Sequence, residues 1–416
     1  MEPNNSNKNP FFTIVIPTMN RPEFLEATLR TALWQTFPDF EVVVSDNSNQ
    51  SDMLRRNEEV IQKYSGDSRL RYVRPESWMN MPDHWEFATR QVWGTYVLVL
   101  TDRRVVRPSA LQYLHSQIQS VAPGVGMAGW FDFCDYSELS GILNCGDYSG
   151  KSTLFNSKDL VKRFARFEYW KENGFWFDEL PHTLNSCYRS DLAEKVRSIH
   201  GRLFRPVSPD FMAAFLMLAY NDQVLHIDRP LYIQHSGALT GNGAASFVEG
   251  MEKFTSTFPE IDPFEGTPVH LNTLFNTLVR DLLVTKKLVG DRFSDIQLDW
   301  VGYYISNYLE FIQKEQLGSG MDLVKLKSLW SEGVSKLSIE QQEEVYRLVK
   351  ELESRKPRWI KLRRLVRQMG WTPIYSRLVG KKRWFSQKMV GKPVYDTIFE
   401  AATKTDNILS ETPDPQ

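Results

Sequence analysis

A chain of 416 residues with 42% hydrophobic and 24% charged side chains is long enough for two or three domains and has the composition of a folded protein. Its net charge of -1 excludes a strong overall attraction to nucleic acid. Three cysteines without CxxC spacing predict no disulfide framework and no zinc site. Residues 1–10 are polar and Asn-rich, which predicts a disordered start without a signal peptide, and hence a cytoplasmic protein.

The first part of the chain alternates predicted strands with predicted helices. Short apolar runs predict buried strands at residues 11–16, 41–45, 70–73 and 96–100. One helix is expected to begin at Pro22, because proline is favoured in the first helical turn, and another is expected at residues 85–93. This alternation predicts an α/β fold with a mostly parallel sheet and right-handed crossovers.

Beyond about residue 247 the alternation stops and a helical periodicity takes over. Helices are predicted at residues 271–289, 300–312, 323–337 and 339–352. A stretch rich in Gly, Ser and Asn at residues 236–245 marks the expected boundary. The expected organisation is an α/β domain at 11–245, a helical domain at 246–354 and a basic C-terminal region at 355–416.

Polar residues follow three of the predicted strands directly. Thr18, Asp46 and Asp102 each come just after the apolar residues of a strand. One aspartate in a loop is usually a turn or cap residue. In parallel sheets, however, ligands bind beyond the carboxyl ends of the strands, so three such residues predict a ligand site at one edge of the sheet.

Four segments in this order resemble glycosyltransferase family 2, the inverting transferases with a GT-A fold. They are TIVIPTMNRPEFLEATLRTALWQTF, DFEVVVSDNS, GTYVLVLTDRRVVRPSAL, and SPDFMAAFLMLA followed by DRPLYIQHSG. The resemblance covers roughly the first 245 residues. It implies a Rossmann-like α/β domain, a nucleoside diphosphate sugar as donor and an acceptor hydroxyl.

The resemblance assigns the residues after the first two strands to the donor nucleotide. It implies that Pro17, Thr18 and Arg21 line the nucleotide pocket and that Asp46 contacts the base. The usual aromatic residue after the threonine is Met19 in this chain. The alternative for Asp46 is a capping turn with the two polar residues that follow it.

The DxD motif of the family is altered here. Asp102 remains for the ribose, but Arg103 or Arg104 occupies the position of the carboxylate that binds a divalent metal. Because guanidinium is always charged and cannot ligate a metal, no metal cofactor is expected, although a divalent metal elsewhere stays open. One of these arginines would then bind the leaving diphosphate, or else both are surface residues of a loop.

The catalytic base implied by the resemblance is Asp210, which would take the proton of the acceptor hydroxyl. The alternative is an ordinary helix start, with Ser208 as N-cap and an acidic residue in the first turn. Asp178 and Glu179 are the reserve candidates for the base. His235, after the last strand, either meets the diphosphate or is structural.

His84 lies where related chains often carry an asparagine near the nucleotide.

The C-terminal region shows a different pattern: residues 355–395 contain thirteen Lys or Arg and no Asp or Glu. Trp359, Leu362 and Leu365 fall near one face of a predicted helix there, which favours an anionic membrane surface. Packing against the helical domain is the alternative, and nucleic acid is the weakest one because no binding module accompanies the basic residues.

Together these patterns predict an enzyme of glycan or polysaccharide biosynthesis. It would transfer a hexosyl or related sugar, with inversion, to a glycan or lipid-linked acceptor, in the cytoplasm or on the inner face of the membrane. The rival hypothesis is a catalytically silent scaffold that binds a nucleotide sugar or a glycan in a polysaccharide assembly. No GxGxxG follows a predicted strand, which disfavours a nicotinamide-dependent enzyme.

Overall fold

The computed structural model describes residues 9–138, 140–146, 148–167, 179–235, 255–317, 323–368 and 394–409, with the backbone alone at 313–317, 355–368 and 408–409. Several expectations fall outside this part of the chain. They concern residues 1–8, the boundary at 236–245, Asp178 and the basic residues between 369 and 393. Membrane binding by the basic region therefore stays a prediction.

Within the described residues, twelve strands form two sheets. The strands are β1 Phe12–Thr18, β2 Phe40–Asp46, β3 Leu70–Val73, β4 Tyr96–Val99, β5 Arg104–Val106, β6 Met127–Phe131, β7 Cys134–Ser137, β8 Ile142–Cys145, β9 Ser152–Asn156, β10 Ser186–Arg189, β11 Gln223–Pro230 and β12 Tyr232–His235. The large sheet has the order β3-β2-β1-β4-β10-β6-β11-β9, and the small sheet has the order β5-β12-β7-β8.

The strand directions bring the ends of several strands to one edge. β1 pairs in parallel with β2 and β4, and β2 pairs in parallel with β3. β10 is antiparallel to both β4 and β6, so β6 runs in the same direction as β4. The carboxyl ends of β1, β2, β3, β4 and β6 therefore share one edge, which we call the carboxyl edge. The predicted α/β fold with a mostly parallel sheet is confirmed.

Helices cover the sheet and then continue without strands, as predicted. They are α1 Pro22–Leu33, α2 Ser51–Gln62, α3 Met81–Thr89, α4 Ala110–Val121, α5 Ser157–Ala165, α6 Ser190–His200, α7 Pro209–Leu218, α8 Leu274–Val289, α9 Trp300–Leu317, α10 Leu323–Val334, α11 Ile339–Gln368 and α12 Ile398–Lys404. α11 continues to residue 368, past the boundary expected at residue 354. No helix among the described residues is long and apolar enough to cross a bilayer.

The core explains why the first strands are apolar throughout. Ile14 and Ile16 of β1 pack into one hydrophobic cluster, and Val15 packs into another on the opposite face of the sheet. A strand buried on both faces has no polar side to expose. The helical region has a cluster of its own, centred on residues such as Tyr304 and Trp330.

The expectation that the cysteines form no disulfide is wrong. Cys134 begins β7, Cys145 ends β8, and the two lie opposite each other in antiparallel register. They form a disulfide across this hairpin. Sequence spacing could not reveal the pair because their proximity depends on the turn between the two strands. The third cysteine, Cys187, is buried and free.

The end of the described chain returns to the α/β domain. The fully buried Arg107 donates hydrogen bonds to the carbonyl of Thr405, at 2.8 Å, and to its hydroxyl. Asp406 accepts from the backbone amide and hydroxyl of Ser109 at 3.0 and 2.8 Å. Residues 394–409 thus pack beside β5, the strand that follows the altered DxD motif.

Candidate functional site

The carboxyl edge brings together the polar residues that follow the first strands. Thr18 ends β1 and stands in register with Asp46 at the end of β2. Asp102 follows β4, the other neighbour of β1. The hydroxyl of Thr18 donates to Asp102 Oδ2 at 2.9 Å. Pro17 precedes Thr18 within the buried part of β1. The three polar residues therefore lie side by side on neighbouring strands.

Asp102 is held by two donors and is itself only 3% exposed. Besides Thr18, Arg21 donates from Nη1 to Asp102 Oδ1 at 3.2 Å, and its own side chain is 34% exposed. Burial raises the pKa of Asp102, and the charge of Arg21 opposes this effect. The hydroxyl of Thr28 in α1 fixes the backbone of the altered motif, because it donates to the carbonyls of Asp102 and Arg104.

Asp46 is fully buried and its two oxygens accept bonds from the protein. The backbone amide of Ser48 donates to Oδ1 at 2.8 Å, while Asn57 and the hydroxyl of Tyr72 donate to Oδ2, both at 3.0 Å. Burial, followed by the charge of Asp46, raises the pKa of Tyr72. The bond from the amide of Ser48 is the capping turn that the sequence offers as the alternative role of Asp46. Contact with a nucleobase stays a prediction for Asp46.

The two arginines of the altered motif have different surroundings. Arg104 is 8% exposed and forms a bidentate ion pair with Asp132, at 3.0 and 2.9 Å, and also donates to the carbonyl of Leu184. Arg103 is partly exposed and donates from Nη2 to the carbonyl of His235 at 3.2 Å. Burial and then the charge of Arg21 lower the pKa of Arg103. Only Arg103 is therefore placed to turn toward a ligand without breaking an ion pair.

Asp210 is the second residue of α7 and lies near the partly exposed His182. Its Oδ2 lies 3.6 Å from His182 Nδ1, and His182 Nε2 lies 3.7 Å from Asp132 Oδ2. The ring of Phe211 stacks on His182 with a centroid distance of 4.7 Å. Ser208 makes no capping bond through its side chain, so the expected N-cap interaction is missing from this helix start.

These distances define an acidic cluster, consisting of Asp132, His182 and Asp210, attached to the altered motif through Arg104. Burial raises the pKa of Asp132 and of Asp210 to about 6 each. Burial and the charge of Arg104 lower the pKa of His182 to about 3. At neutral pH the cluster therefore contains a neutral imidazole between two carboxylates. A carboxylate with a pKa near the working pH suits a general base.

Asp132 and His182 are the residues that sequence reasoning missed. Asp132 comes directly after the buried strand β6, while Asp46 ends β2 and Asp102 follows β4. The signal was therefore present in the sequence GWFD. His182 precedes β10 and reaches the carboxyl edge because β10 is antiparallel. That reversal cannot be read from the residues around His182.

The remaining candidate site residues lie near the carboxyl edge or behind it. His235 is buried, with Nδ1 2.9 Å from Glu138 Oε1. His84 is buried behind β2, where its Nε2 lies 2.9 Å from Ser45 Oγ, and burial lowers its pKa to about 4. Glu179, a reserve candidate for the base, is paired with Arg163 at 2.5 Å.

The side chains at the altered motif do not fit the divalent metal that the family resemblance implies. Across the described part of the chain, no three His, Cys, Asp or Glu side chains are grouped closely enough to hold a metal ion. Asp102 is occupied by Thr18 and Arg21, and Asp132 is occupied by Arg104. Hard cations need several oxygen ligands, which this donor set does not offer.

Comparison with known proteins supports the interpretation of the first part of the chain. Residues 13–132 match the family described as Glycosyl transferase family 2. These residues form a glycosyltransferase family 2 region. It includes three of the four segments that carry the resemblance, whereas the fourth, which contains Asp210, lies beyond it.

A curated relative shares part of this similarity. The chain is 27% identical over 161 residues to the GalNAc(5)-diNAcBac-PP-undecaprenol beta-1,3-glucosyltransferase of Campylobacter jejuni. The matched residues are 38% of this chain and 49% of the relative, so the chain spans about half the length of that protein.

Two solved structures are also similar. S. aureus TarS 1-349 in complex with UDP-GlcNAc has a TM-score of 0.46 and 14% identity, over 93% of this chain and 99% of that one. The mannosyltransferase PcManGT from Pyrobaculum calidifontis, in complex with GDP-Man and Mn2+, has a TM-score of 0.40 and 13% identity, over 83% and 88% of the two chains.

Proposed function

We propose that this protein transfers a sugar from a nucleoside diphosphate sugar to an acceptor hydroxyl, with inversion at the anomeric carbon. The observation that carries the proposal is the continuous polar edge from Thr18 and Asp102 to Asp210. This edge joins the side chains that would hold the nucleotide to the carboxylate of Asp210, whose pKa is about 6. The match of residues 13–132 to glycosyltransferase family 2 supports the part of the proposal that concerns the nucleotide sugar.

On this proposal the donor lies across the ends of β1 and β4. Thr18, Arg21 and Asp102 hold the ribose, and Arg103 binds the diphosphate through charge-assisted hydrogen bonds. The guanidinium stabilises the negative charge that grows on the leaving diphosphate as its bond to the sugar breaks. We assign Arg104 a positioning role, because it is already paired with Asp132.

Asp210 acts on the acceptor. The acceptor oxygen forms its bond to the anomeric carbon while the bond from that carbon to the diphosphate oxygen breaks. Asp210 takes the hydroxyl proton, and the nucleoside diphosphate leaves with the electron pair. A single displacement of this kind inverts the anomeric configuration and needs one base. We assign His182 a positioning role, because its Nδ1 lies 3.6 Å from Asp210 Oδ2.

We further propose that the acceptor is a glycan or a lipid-linked glycan. The Campylobacter jejuni relative is named for an undecaprenol-linked acceptor, which supports this class. A transferase acting on such an acceptor would work at a membrane surface. Peripheral association of this protein with a membrane therefore belongs to the same proposal.

A screen of nucleotide sugars tests the function. The full chain is incubated with UDP-, GDP- and TDP-sugars, and thermal unfolding is measured, because a ligand of the native state raises the apparent stability. Donors that stabilise the protein are then assayed for transfer to lipid-linked and free glycans. Transfer supports the enzyme. Stabilisation by a donor without turnover on any acceptor supports the scaffold instead, which the altered DxD motif favours. Stabilisation by none contradicts both.

A further inference from the structure

The start of α7, which contains the proposed base Asp210, is held by the helical region. Ser208 stands at the N-cap position and makes no capping bond through its side chain. A buried helix start needs acceptors for its backbone amides from outside the helix. At this start they come from α8, a helix that the proposed function has not used.

Asp281 of α8 binds the two residues that precede the start of α7. Its Oδ2 accepts from the amide of Ser208 at 2.9 Å, and its Oδ1 accepts from the amide of Val207 at 3.4 Å. The side chain is fully buried. Burial raises the pKa of Asp281, and the charge of Arg280 opposes this effect. Because all of these partners are N–H donors, they favour the ionised carboxylate.

Arg280 adds a second attachment to the same segment. It is only 2% exposed, and its Nη1 donates both to Asp281 Oδ1 and to the carbonyl of Pro206, each at 2.9 Å. Its Nε donates to the carbonyl of Asp262 at 3.3 Å. The two charged side chains of α8 therefore bind the backbone of residues 206–208 through both its carbonyl and its amide groups.

Packing fixes α7 against α8 beyond this contact. Thr285, one turn after Asp281, donates to the sulfur of Met212, one turn after Ser208, at 3.5 Å. Two leucines of α8 belong to the same hydrophobic cluster as Phe215 of α7. A displacement of α8 would therefore displace the start of α7 as well.

We propose that Asp281, supported by Arg280, is a positioning residue that holds the proposed base Asp210 at the carboxyl edge. The inference rests on the proposed function, because it takes Asp210 to be the base. Since Asp281 is fully buried, it acts through the backbone of residues 206–208 and not on a substrate. It gives the helical region, which lies beyond the family match at residues 13–132, a part in the reaction.

Asp281 also places a negative charge near Asp210. Burial raises the pKa of Asp210 to about 6, and the charge of Asp281 adds to this rise. The charged or titratable groups that face the two aspartates are Arg280 and its partner Glu265 on the side of α8, and His182 and Arg104 on the side of the carboxyl edge. Loss of the charge at Asp281 is therefore expected to lower the pKa of Asp210.

Asp281→Asn in the full chain tests the proposal. The amide keeps the shape of the side chain but has one acceptor oxygen instead of two and carries no charge. With the nucleotide sugar that the unaltered chain turns over, kcat is expected to fall by about tenfold to 100-fold, as for a base displaced by about 1 Å. The affinities for UDP and GDP, measured by calorimetry, are expected to stay within twofold. The midpoint of kcat/KM against pH is expected to move by about 0.5 pH unit or more to lower pH.

Glu310→Gln is the matched control, because Glu310 is a buried carboxylate that holds a helix start in the same way. Its two oxygens accept from the amides of Leu274 and Phe275, at 2.9 and 3.3 Å, at the start of α8. This start lies about 10 Å along the helix from Asp281. Glu310→Gln is expected to keep kcat within twofold of the unaltered chain and to leave the midpoint unchanged.

The outcomes separate the positioning role from the proposed function. If kcat and the midpoint of Asp281→Asn match those of Glu310→Gln, the positioning role is overturned and the proposed function stays intact. A fall in kcat without a shift of the midpoint, or with an equal loss of UDP and GDP affinity, also overturns it, since a general loosening of the fold would do the same. If the unaltered chain transfers sugar to no acceptor, the proposed function fails and the positioning role fails with it.

If Asp281→Asn does not fold, Arg280→Lys replaces it. Lysine keeps the positive charge beside Asp281 but replaces the planar fork, which also binds the carbonyls of Pro206 and Asp262, with a single point charge. A fall in kcat of more than about twofold, with unchanged UDP and GDP affinity, supports the positioning role. A kcat within twofold of the unaltered chain overturns it.

Discussion

The proposed donor side of the carboxyl edge, at Thr18, Arg21 and Asp102, and its proposed acceptor side, at Asp132, His182 and Asp210, are built differently. On the donor side, Asp102 accepts direct hydrogen bonds of 2.9 and 3.2 Å from Thr18 and Arg21. On the acceptor side, His182 lies 3.6 and 3.7 Å from the carboxylates of Asp210 and Asp132. Direct bonds fix a geometry in advance, whereas a looser cluster with raised pKa values can take up a proton. The first arrangement suits holding a ligand, and the second suits proton transfer.

The largest effect is expected from Asp210→Asn on the acceptor side. The amide keeps the shape of the side chain but cannot accept the hydroxyl proton, so transfer is expected to fall by about 10² to 10⁴. Donor affinity, measured by calorimetry, is expected to stay within twofold. Ser208→Ala is the matched control, because Ser208 makes no capping bond, and it is expected to keep full activity.

The same substitution has an opposite effect on stability. Burial raises the pKa of Asp210 to about 6, so the ionised carboxylate disfavours the folded state above that pH and does so less as the pH falls. A rise of about two pKa units corresponds to about 3 kcal/mol. Asp210→Asn is therefore expected to raise the unfolding temperature at pH 7.5 and to leave it nearly unchanged at about pH 3.5, below the ordinary pKa of an aspartate. Lost activity with lower stability would point to a structural role.

The two arginines are expected to separate binding from stability. Arg104→Ala leaves the partly exposed carboxylate of Asp132 without its partner, which is expected to cost about 1 to 3 kcal/mol of unfolding free energy. Arg103→Ala breaks no ion pair and is expected to keep the unfolding free energy within about 0.5 kcal/mol. It is expected to weaken diphosphate binding by about tenfold or more, as for the loss of one charged hydrogen bond. The reverse outcome, with Arg104 controlling affinity, would exchange their roles.

Half of the rate is expected to be lost near pH 6. Because burial raises the pKa of Asp210 to about 6, kcat/KM is expected to fall about tenfold per pH unit below that value, as protonation removes the base. His182→Asn is expected to move the midpoint, since it removes the imidazole next to Asp210. An unchanged midpoint in this variant would show that His182 serves packing alone.

The smallest effect is expected on removal of divalent metal from the donor side. Because an arginine stands where a ligand carboxylate is expected, affinity for a nucleoside diphosphate is expected to change by less than tenfold, about 1.4 kcal/mol, between excess EDTA and Mn²⁺. Calorimetry under the two conditions measures this. A larger loss under EDTA contradicts the assignment of the diphosphate to Arg103.

The sequence predicted the donor side better than the acceptor side. The strands before Thr18, Asp46 and Asp102 are local apolar runs, and their parallel order follows from the alternation with helices. The pairing of Arg104 with Asp132 depends on β10 running antiparallel between β4 and β6, which no local pattern encodes. The return of residues 394–409 to β5 is equally invisible, because it joins segments far apart in the chain.

The stereochemistry of the product tests the central claim most directly, namely a single displacement with Asp210 as its base. The full chain is given an α-linked nucleotide sugar and its acceptor, and the new linkage is determined by NMR before any equilibration. A β-linked product is expected, formed by the unaltered protein and not by Asp210→Asn. An α-linked product would contradict it, because retention requires two displacements or a different chemistry.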